Sequence, residues 1–90
     1  MKYLRREGKF RKDLKRAGGR GYDLARLFAV LTLLAQGEIL PSSAHPHLLH
    51  GEWKGYWECH IAPDWLLIYK VTDDEVILAR TGTHADLFRE

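Results

Sequence analysis

The chain has 90 residues, of which 46% are hydrophobic and 29% are charged, and its formal net charge at pH 7 is +2. This length predicts a single domain, 1–90, and the composition excludes a disordered chain. The longest apolar run, 27–35, is too short to span a membrane, and no signal-peptide pattern follows Met1. We therefore expect no membrane partner. Because the single cysteine, Cys59, has no internal disulfide partner, we also expect a cytoplasmic protein.

Basic residues concentrate at the start of the chain. The first 20 residues hold nine basic side chains and two acidic ones, a local charge of +7, so the remaining 70 residues carry −5. Such asymmetry is typical of a surface that meets a polyanion or an acidic partner. A solvated helix face without any partner is the alternative interpretation of the same charges.

Two helices are predicted in the first half of the chain, after a short edge strand at Tyr3. The helical spacing of Phe10, Leu14 and Ala17 predicts a thin first helix that ends in the glycines after residue 17. Asp23 can cap a second helix, which Gly37 ends. The apolar stripe of this second helix consists of Leu24, Leu27, Phe28, Leu31, Leu34 and Ala35.

The second half of the chain predicts three antiparallel strands. Residues 41–51 have the composition of a loop, after which the hydrophobic period changes to two, from Trp53 to Ile61. Turn sequences at 62–64 and 72–75 separate two further β-prone runs. Two helices followed by such a meander predict an α+β domain, with the helices on one face of a small antiparallel sheet. Alternation places Tyr56, Glu58 and His60 on the other, open face.

Five histidines lie between positions 45 and 84, and three kinds of chemistry can use them. Zinc binding is one, but "HPHLLH" lacks a recognised ligand spacing and no cysteine pair accompanies it. A Cys59–His60 dyad is a second, but neighbouring side chains on a strand point to opposite faces. Acid–base chemistry is the third, because the unperturbed imidazole exchanges protons near neutral pH.

Two segments carry a family resemblance. "HLLHGEWKGYWECHIAPDWLLIYK", at 47–70, and "RTGTHADLF", at 80–88, resemble the YafQ group of RelE-type toxins, which are ribosome-dependent mRNA interferases of bacterial toxin–antitoxin pairs. The resemblance implies a RelE-like fold with a short C-terminal helical turn. It also implies cleavage of mRNA in the ribosomal A site by attack of the ribose 2′-hydroxyl, without a metal or another cofactor.

Motif matching implies roles for particular residues. His84, in "RTGTH", is expected to be the general acid, while His47, His60 and Asp64 share proton abstraction and phosphate contact in a division left open. The expected RNA and phosphate contacts are Lys54, Arg80, Phe88 and, on the basic first helix, Lys9, Lys12 and Arg16. That helix is expected to lie along 16S ribosomal RNA. A DinJ-like antitoxin is the implied partner, in a hetero-oligomer.

Some of these residues also have structural interpretations. Asp64 can serve only its turn, and Phe88 can simply pack a terminal helix against the sheet. Trp57 departs from the family pattern, since relatives often carry a basic side chain there. We further expect Gly82 and its neighbouring threonines to bend the chain so that His84 lies beside His60.

Two other functions remain open on the sequence alone. ParE-like toxins of the same superfamily inhibit DNA gyrase without nuclease chemistry, although they do not need clustered histidines or the "RTGTH" ending. A non-catalytic RNA-binding module can also use the basic helix. Neither alternative requires His84.

Overall fold

A computed structural model describes residues 1–88 of the chain. Its elements in chain order are β1 (Tyr3–Arg6), α1 (Gly8–Gly19), α2 (Leu24–Ala35), β2 (His47–Leu48), β3 (Trp57–Ala62), β4 (Trp65–Val71), β5 (Glu75–Gly82) and α3 (His84–Phe88). Two short 3₁₀ turns flank β2, at Ser42–Ala44 and Gly51–Trp53. None of the helices within residues 1–88 has the length and apolar character that crossing a bilayer requires.

The five strands form one sheet in the order β1-β5-β4-β3-β2. Strands β3, β4 and β5 make the predicted antiparallel meander. At one edge β1 runs parallel to β5, with Tyr3 opposite Glu75, so the complete sheet is mixed. At the other edge β2, in the segment predicted to be a loop, pairs antiparallel with β3. The architecture is therefore α+β, as predicted, with one parallel pair added.

Both long helices pack on one face of this sheet. Asp23 caps α2 as predicted, since its carboxylate accepts the backbone N–H of Ala25 at 3.2 Å. The buried side chains of this face form the main core, which includes Phe10 and Ala17 of α1, Leu27, Leu31 and Leu34 of α2, and Cys59, Leu67, Tyr69 and Leu78 of the sheet. Burial raises the pKa of the Cys59 thiol to about 12, so it remains a neutral core group, as predicted.

The opposite face of the sheet is only partly open. A second, smaller cluster is built from buried Leu66, Ile68, Ala79 and Leu87, with Leu49, Trp53, Tyr56 and Phe88 packed against it. This cluster covers the middle of the face with the 49–56 segment and α3. Polar residues of that face are therefore confined to its margins.

The strand predicted to begin at Trp53 begins at Trp57 instead. Gly51 and Gly55 have positive φ angles of 66° and 91°, which a regular strand cannot contain, and the segment between them forms a 3₁₀ turn. Trp53 consequently packs in the second cluster, on the face opposite to the one that simple alternation predicts. The error comes from extending a period of two through residues whose backbone turns.

A buried carboxylate joins α1 to β5. Asp13 is 4% exposed and accepts hydrogen bonds from Arg80 Nε at 2.6 Å, Arg80 Nη2 at 3.1 Å and the backbone N–H of Thr81 at 3.1 Å. Arg16 Nη2 donates a fourth, at 3.0 Å. These contacts raise the pKa of Arg80, chiefly through its hydrogen bonds to Asp13. Because Thr81 and Arg80 precede the C-terminal segment, Asp13 fixes where that segment leaves the sheet.

We expect Asp13→Asn to lower the free energy of unfolding by about 2 to 3 kcal/mol, because it leaves the half-buried Arg80 guanidinium without its anionic partner. Urea denaturation followed by circular dichroism measures this loss. Glu38→Gln, at an exposed position, is the control and should change stability by less than about 0.5 kcal/mol. Equal stability of the two variants would show that Asp13 does not hold α1 to β5.

Candidate active site

The turn between β3 and β4 presents Asp64 at one end of the sheet. Ala62 and Trp65 are paired across this turn, after a register shift that follows His60. The short turn leaves the Asp64 carboxylate 64% exposed. Trp65 anchors the other side, since its indole Nε1 donates to Thr81 Oγ1 at 2.9 Å in the interior. A rigid strand pair therefore supports an exposed carboxylate.

A capping box begins α3 directly before His84. Thr83 Oγ1 accepts the backbone N–H of Asp86 at 3.0 Å, and Asp86 Oδ2 accepts the backbone N–H of Thr83 at 2.9 Å. The Arg20 guanidinium donates two hydrogen bonds to the Asp86 carboxylate, of 2.7 Å and 3.1 Å. A β-carbon on Gly82 would lie 2.9 Å from Asp86 Oδ2, so only glycine allows this close approach. The predicted bend is thus present, and it depends on Asp86 as well as on glycine.

Asp64 and His84 form a hydrogen-bonded dyad. One carboxylate oxygen, Asp64 Oδ1, lies 2.7 Å from His84 Nδ1 and accepts the backbone N–H of His84 at 3.0 Å. These two contacts, the backbone one first, lower the pKa of Asp64, so the carboxylate stays ionised at neutral pH. The Asp64 oxygen is an acceptor, so His84 Nδ1 carries the proton of this contact. The side chain of His84 is 42% exposed.

Aromatic rings surround this dyad. The ring of His60 lies 6.2 Å from that of His84, centroid to centroid, and the ring of Phe88 lies 6.5 Å from His84 on α3. The ring of His45 lies 5.7 Å from that of His60. The structure therefore brings together His60, Asp64, His84 and Phe88, four of the residues predicted for the site, and adds His45, for which no role was predicted.

His47 lies on the same sheet face as His60, on the edge strand β2 next to β3. It is paired with Glu58 across the β2–β3 ladder, and His47 Nε2 lies 3.4 Å from Glu58 Oε1. Glu58 and His60 are two residues apart on β3, a spacing of about 7 Å along the strand. His47 is thus a neighbour of the His60–His84 pair rather than a contact of it, and buried Glu58 separates them.

The residues predicted to contact RNA phosphates differ in their surroundings. Lys9, Arg80 and Phe88 line one hollow of about 640 Å³ on the open face. Arg80 directs Nε and Nη2 into its pair with Asp13, and Arg16 is held between Asp13 and Asp86. Lys12 and Lys54 are exposed. Trp57, which stands where relatives often have a basic residue, packs against the main core on the helical side and so lies away from the histidines.

Three residues that support the site were not predicted from the sequence: Asp13, Arg20 and Asp86. Asp13 does carry a signal, because it lies three residues after Phe10 and four before Ala17, on the buried stripe of α1. Arg20 and Asp86 pair across 66 residues of sequence, and no local pattern marks such a pair. Within residues 1–88 no group of three or more His, Cys, Asp or Glu side chains has the arrangement of a metal site.

A five-stranded mixed sheet, with two helices on one face and a histidine–carboxylate cluster at the end of the other, defines a RelE-like toxin domain. The family model described as "Bacterial toxin of type II toxin-antitoxin system, YafQ" matches residues 2–89. The mRNA interferase toxin YafQ of Escherichia coli (strain K12) is 46% identical over 82 residues, which cover 90% of this chain and 89% of that protein. The chain belongs to the YafQ family of type II toxin–antitoxin toxins.

Solved structures agree with this assignment. The crystal structure of YafQ from E. coli strain BL21(DE3) matches with a TM-score of 0.93 at 42% identity, over 98% of this chain and 99% of that one. In the crystal structure of the E. coli DinJ–YafQ toxin–antitoxin complex, the matching chain has a TM-score of 0.90 and 43% identity, with 97% of both chains covered. The predicted fold and family are therefore confirmed.

We expect Gly82→Ala to destabilise the protein by about 1 to 3 kcal/mol, because Asp86 is held by three donors and cannot retreat from the new methyl group. The His84 ring resonances in NMR spectra should shift in the same variant. Gly8→Ala is the control, since no atom lies within 4 Å of a β-carbon there and alanine favours a helix. Unchanged stability of Gly82→Ala would contradict the proposed close approach.

The Arg20–Asp86 pair predicts a pH dependence of stability. Hydrogen bonds from Arg20 hold the pKa of Asp86 well below its ordinary value of 3.8. A lowered folded-state pKa stabilises the protein fully above that ordinary value, and the contribution is lost as the pH falls further. The difference in unfolding free energy between the natural protein and Asp86→Asn, about 1 kcal/mol, should be constant from pH 7 to about 5 and shrink below about 4.

Urea denaturation across this pH range measures the difference. Arg20→Gln should produce the same pH-dependent loss, and the double variant Arg20→Gln/Asp86→Asn should lose little more than either single one. Additive losses in the double variant would show that the two side chains act independently.

Proposed function

We propose that this chain, acting as one domain, is a ribosome-dependent endoribonuclease that cleaves mRNA in the A site and so inhibits translation. The observation that carries the proposal is the Asp64–His84 dyad, with His60 beside it on an exposed sheet face. The E. coli relative is named an mRNA interferase, which supports the same reaction class. Relatives so named make the cytoplasm, where ribosomes translate, the place of action.

The proposed reaction is a transesterification within the RNA. A base removes the proton of the ribose 2′-hydroxyl, and the 2′-oxygen attacks the adjacent phosphorus. The bond from phosphorus to the 5′-oxygen breaks, and an acid protonates that oxygen. The products are a 2′,3′-cyclic phosphate and a 5′-hydroxyl. Two proton transfers and charge stabilisation at phosphate are all that this reaction needs from the protein, so it proceeds without a metal or another cofactor.

The geometry supports His84 as the general acid. Asp64 accepts from Nδ1 and fixes the orientation of the ring, and the side chain of His84 is exposed enough for a substrate to reach it. His60, one ring away, then faces the same phosphate and shares proton abstraction and phosphate contact with His47. Asp64 thereby acts on the reaction through His84, to which it is bonded.

Substrate RNA is held by the basic and aromatic margin of the open face. Phe88, 6.5 Å from His84, can stack on a base, a contact worth about 1 to 3 kcal/mol. Arg80, Lys9 and Lys54 supply positive charge for the RNA backbone. Lys12 and Arg16 continue this charge along α1, toward 16S ribosomal RNA, where neutralised phosphates make binding sensitive to salt.

A DinJ-like antitoxin is the proposed protein partner, in a hetero-oligomer. The E. coli relative was crystallised with DinJ, and the present chain offers a surface that suits an acidic, partly apolar chain. Exposed apolar side chains, among them Tyr3 and Phe28, accompany the basic face of α1. Such surfaces are typical of regions covered by a partner.

Replacing His84 by alanine should abolish cleavage while the fold is retained. Removal of a general acid is expected to slow the reaction by about 10² to 10⁴-fold. Purified ribosomes programmed with a defined mRNA, with primer extension of the products, measure the rate and the phase of the cuts. Glu38→Gln, at an exposed position after α2, is the control and should cleave normally.

The products and conditions separate this proposal from its alternatives. Cleavage should persist when EDTA is added to ribosomes that have been cross-linked in complex with mRNA. The upstream fragments should end in 2′,3′-cyclic phosphate. Toxicity that survives in His84→Ala, together with inhibition of DNA gyrase or with binding of RNA without cuts, would overturn the nuclease proposal.

A further inference from the structure

His45 has a backbone conformation that residues other than glycine seldom adopt. Its φ and ψ are 46° and 53°, and it is the single non-glycine residue with positive φ among residues 1–88. The next residue is Pro46, and a residue before proline favours extended conformations. A disfavoured conformation persists where surrounding contacts hold it, and such residues concentrate at functional sites.

The carbonyl group of His45 holds the ring of His47. His47 Nδ1 lies 3.0 Å from His45 O. A carbonyl oxygen only accepts, so Nδ1 must carry the proton. His47 Nε2 lies 3.4 Å from Glu58 Oε1. The left-handed turn at His45 thereby sets the direction of a candidate catalytic imidazole and keeps a proton on its Nδ1.

The ring of His45 packs against His60. The two centroids are 5.7 Å apart and the ring planes are inclined by 75°, an edge-to-face contact. His84 is a second neighbour of the same ring, at 6.2 Å. Contacts with both rings restrict the rotation of the His60 side chain.

We propose that His45 is a positioning residue for the RNA cleavage proposed above, on which this inference rests. Its carbonyl accepts from Nδ1 of His47 and so fixes the direction of that ring, and its own ring fixes the orientation of His60. One loop residue thus sets the geometry of two imidazoles that come from different strands. No proton transfer by His45 itself is required.

Two substitutions separate the backbone role from the ring role. Asparagine tolerates the left-handed conformation, so His45→Asn should keep the carbonyl in place and remove only the ring. Valine is β-branched and disfavours positive φ, so His45→Val should displace the carbonyl as well. Because His45 is exposed, both variants should keep the unfolding transition of the natural protein.

Long-range ¹H–¹⁵N correlation spectra of the imidazoles, recorded on the free protein, give the tautomer of His47 directly. In His45→Asn the Nδ1 proton of His47 should remain while the His60 ring resonances move. In His45→Val both should change. The kcat for ribosome-bound mRNA should fall by about 10 to 100-fold in His45→Asn and further in His45→Val, with little change in KM.

Natural tautomer, ring shifts and kcat in both variants would overturn the proposal, and so would loss of the His47 Nδ1 proton already in His45→Asn. The NMR signals do not depend on RNA cleavage. If the natural protein fails to cleave mRNA while these signals change as expected, then the proposed function fails, and only the structural part of the inference stands, namely that His45 holds the rings of His47 and His60. Glu38→Gln is the control for both measurements and should behave as the natural protein.

Discussion

The buried carboxylate of Asp13 is the constraint on which the arrangement of this protein depends. It accepts from two arginines and from the backbone of Thr81, so α1 and the end of β5 cannot move independently. A buried ion satisfied by several donors is stabilised only when all of them are in place. The contact therefore determines where the chain leaves the sheet, and with it the starting point of α3.

From that point the candidate site is assembled by a short series of contacts. Gly82 leaves room for Asp86, the capping box begins α3, and His84 becomes its first residue. Asp64 then holds both the backbone and the ring of His84. The histidine is thus attached to the β3–β4 turn as well as to its own helix. Such double attachment is what an acid–base group requires to keep its orientation without burial.

The fold was predictable to the extent that it rests on periodicity. The stripes of α1 and α2, the alternation in β3 and the β-prone runs of β4 and β5 predict the helices, the meander and the face that carries His60. Periodicity failed at Trp53, because two glycines with positive φ turn the backbone there. It also does not indicate that β1 joins β5 in parallel, since that pairing is decided by contacts between the two ends of the chain.

The candidate site was predictable where family motifs cover it, and less so where long-range pairing builds it. Motif matching indicated His60, Asp64 and His84, and the structure places them together. Nothing local marks the Arg20–Asp86 pair, and Asp13 is marked only by its position on the buried stripe of α1. His45 lies outside the matched motif residues, and a position before proline is not one where a left-handed conformation is expected.

The parallel pairing of β1 with β5 has a consequence for the order of folding. Arg5 donates a hydrogen bond to the Glu75 carboxylate across this pair, at 3.3 Å, and the two residues are 70 positions apart in sequence. Strand β1 gains its neighbour only after β5 has been synthesised, and contacts of such long range form slowly. His84 and its capping residues follow β5 in the chain. A growing polypeptide therefore lacks the histidine cluster until α3 has been synthesised as well.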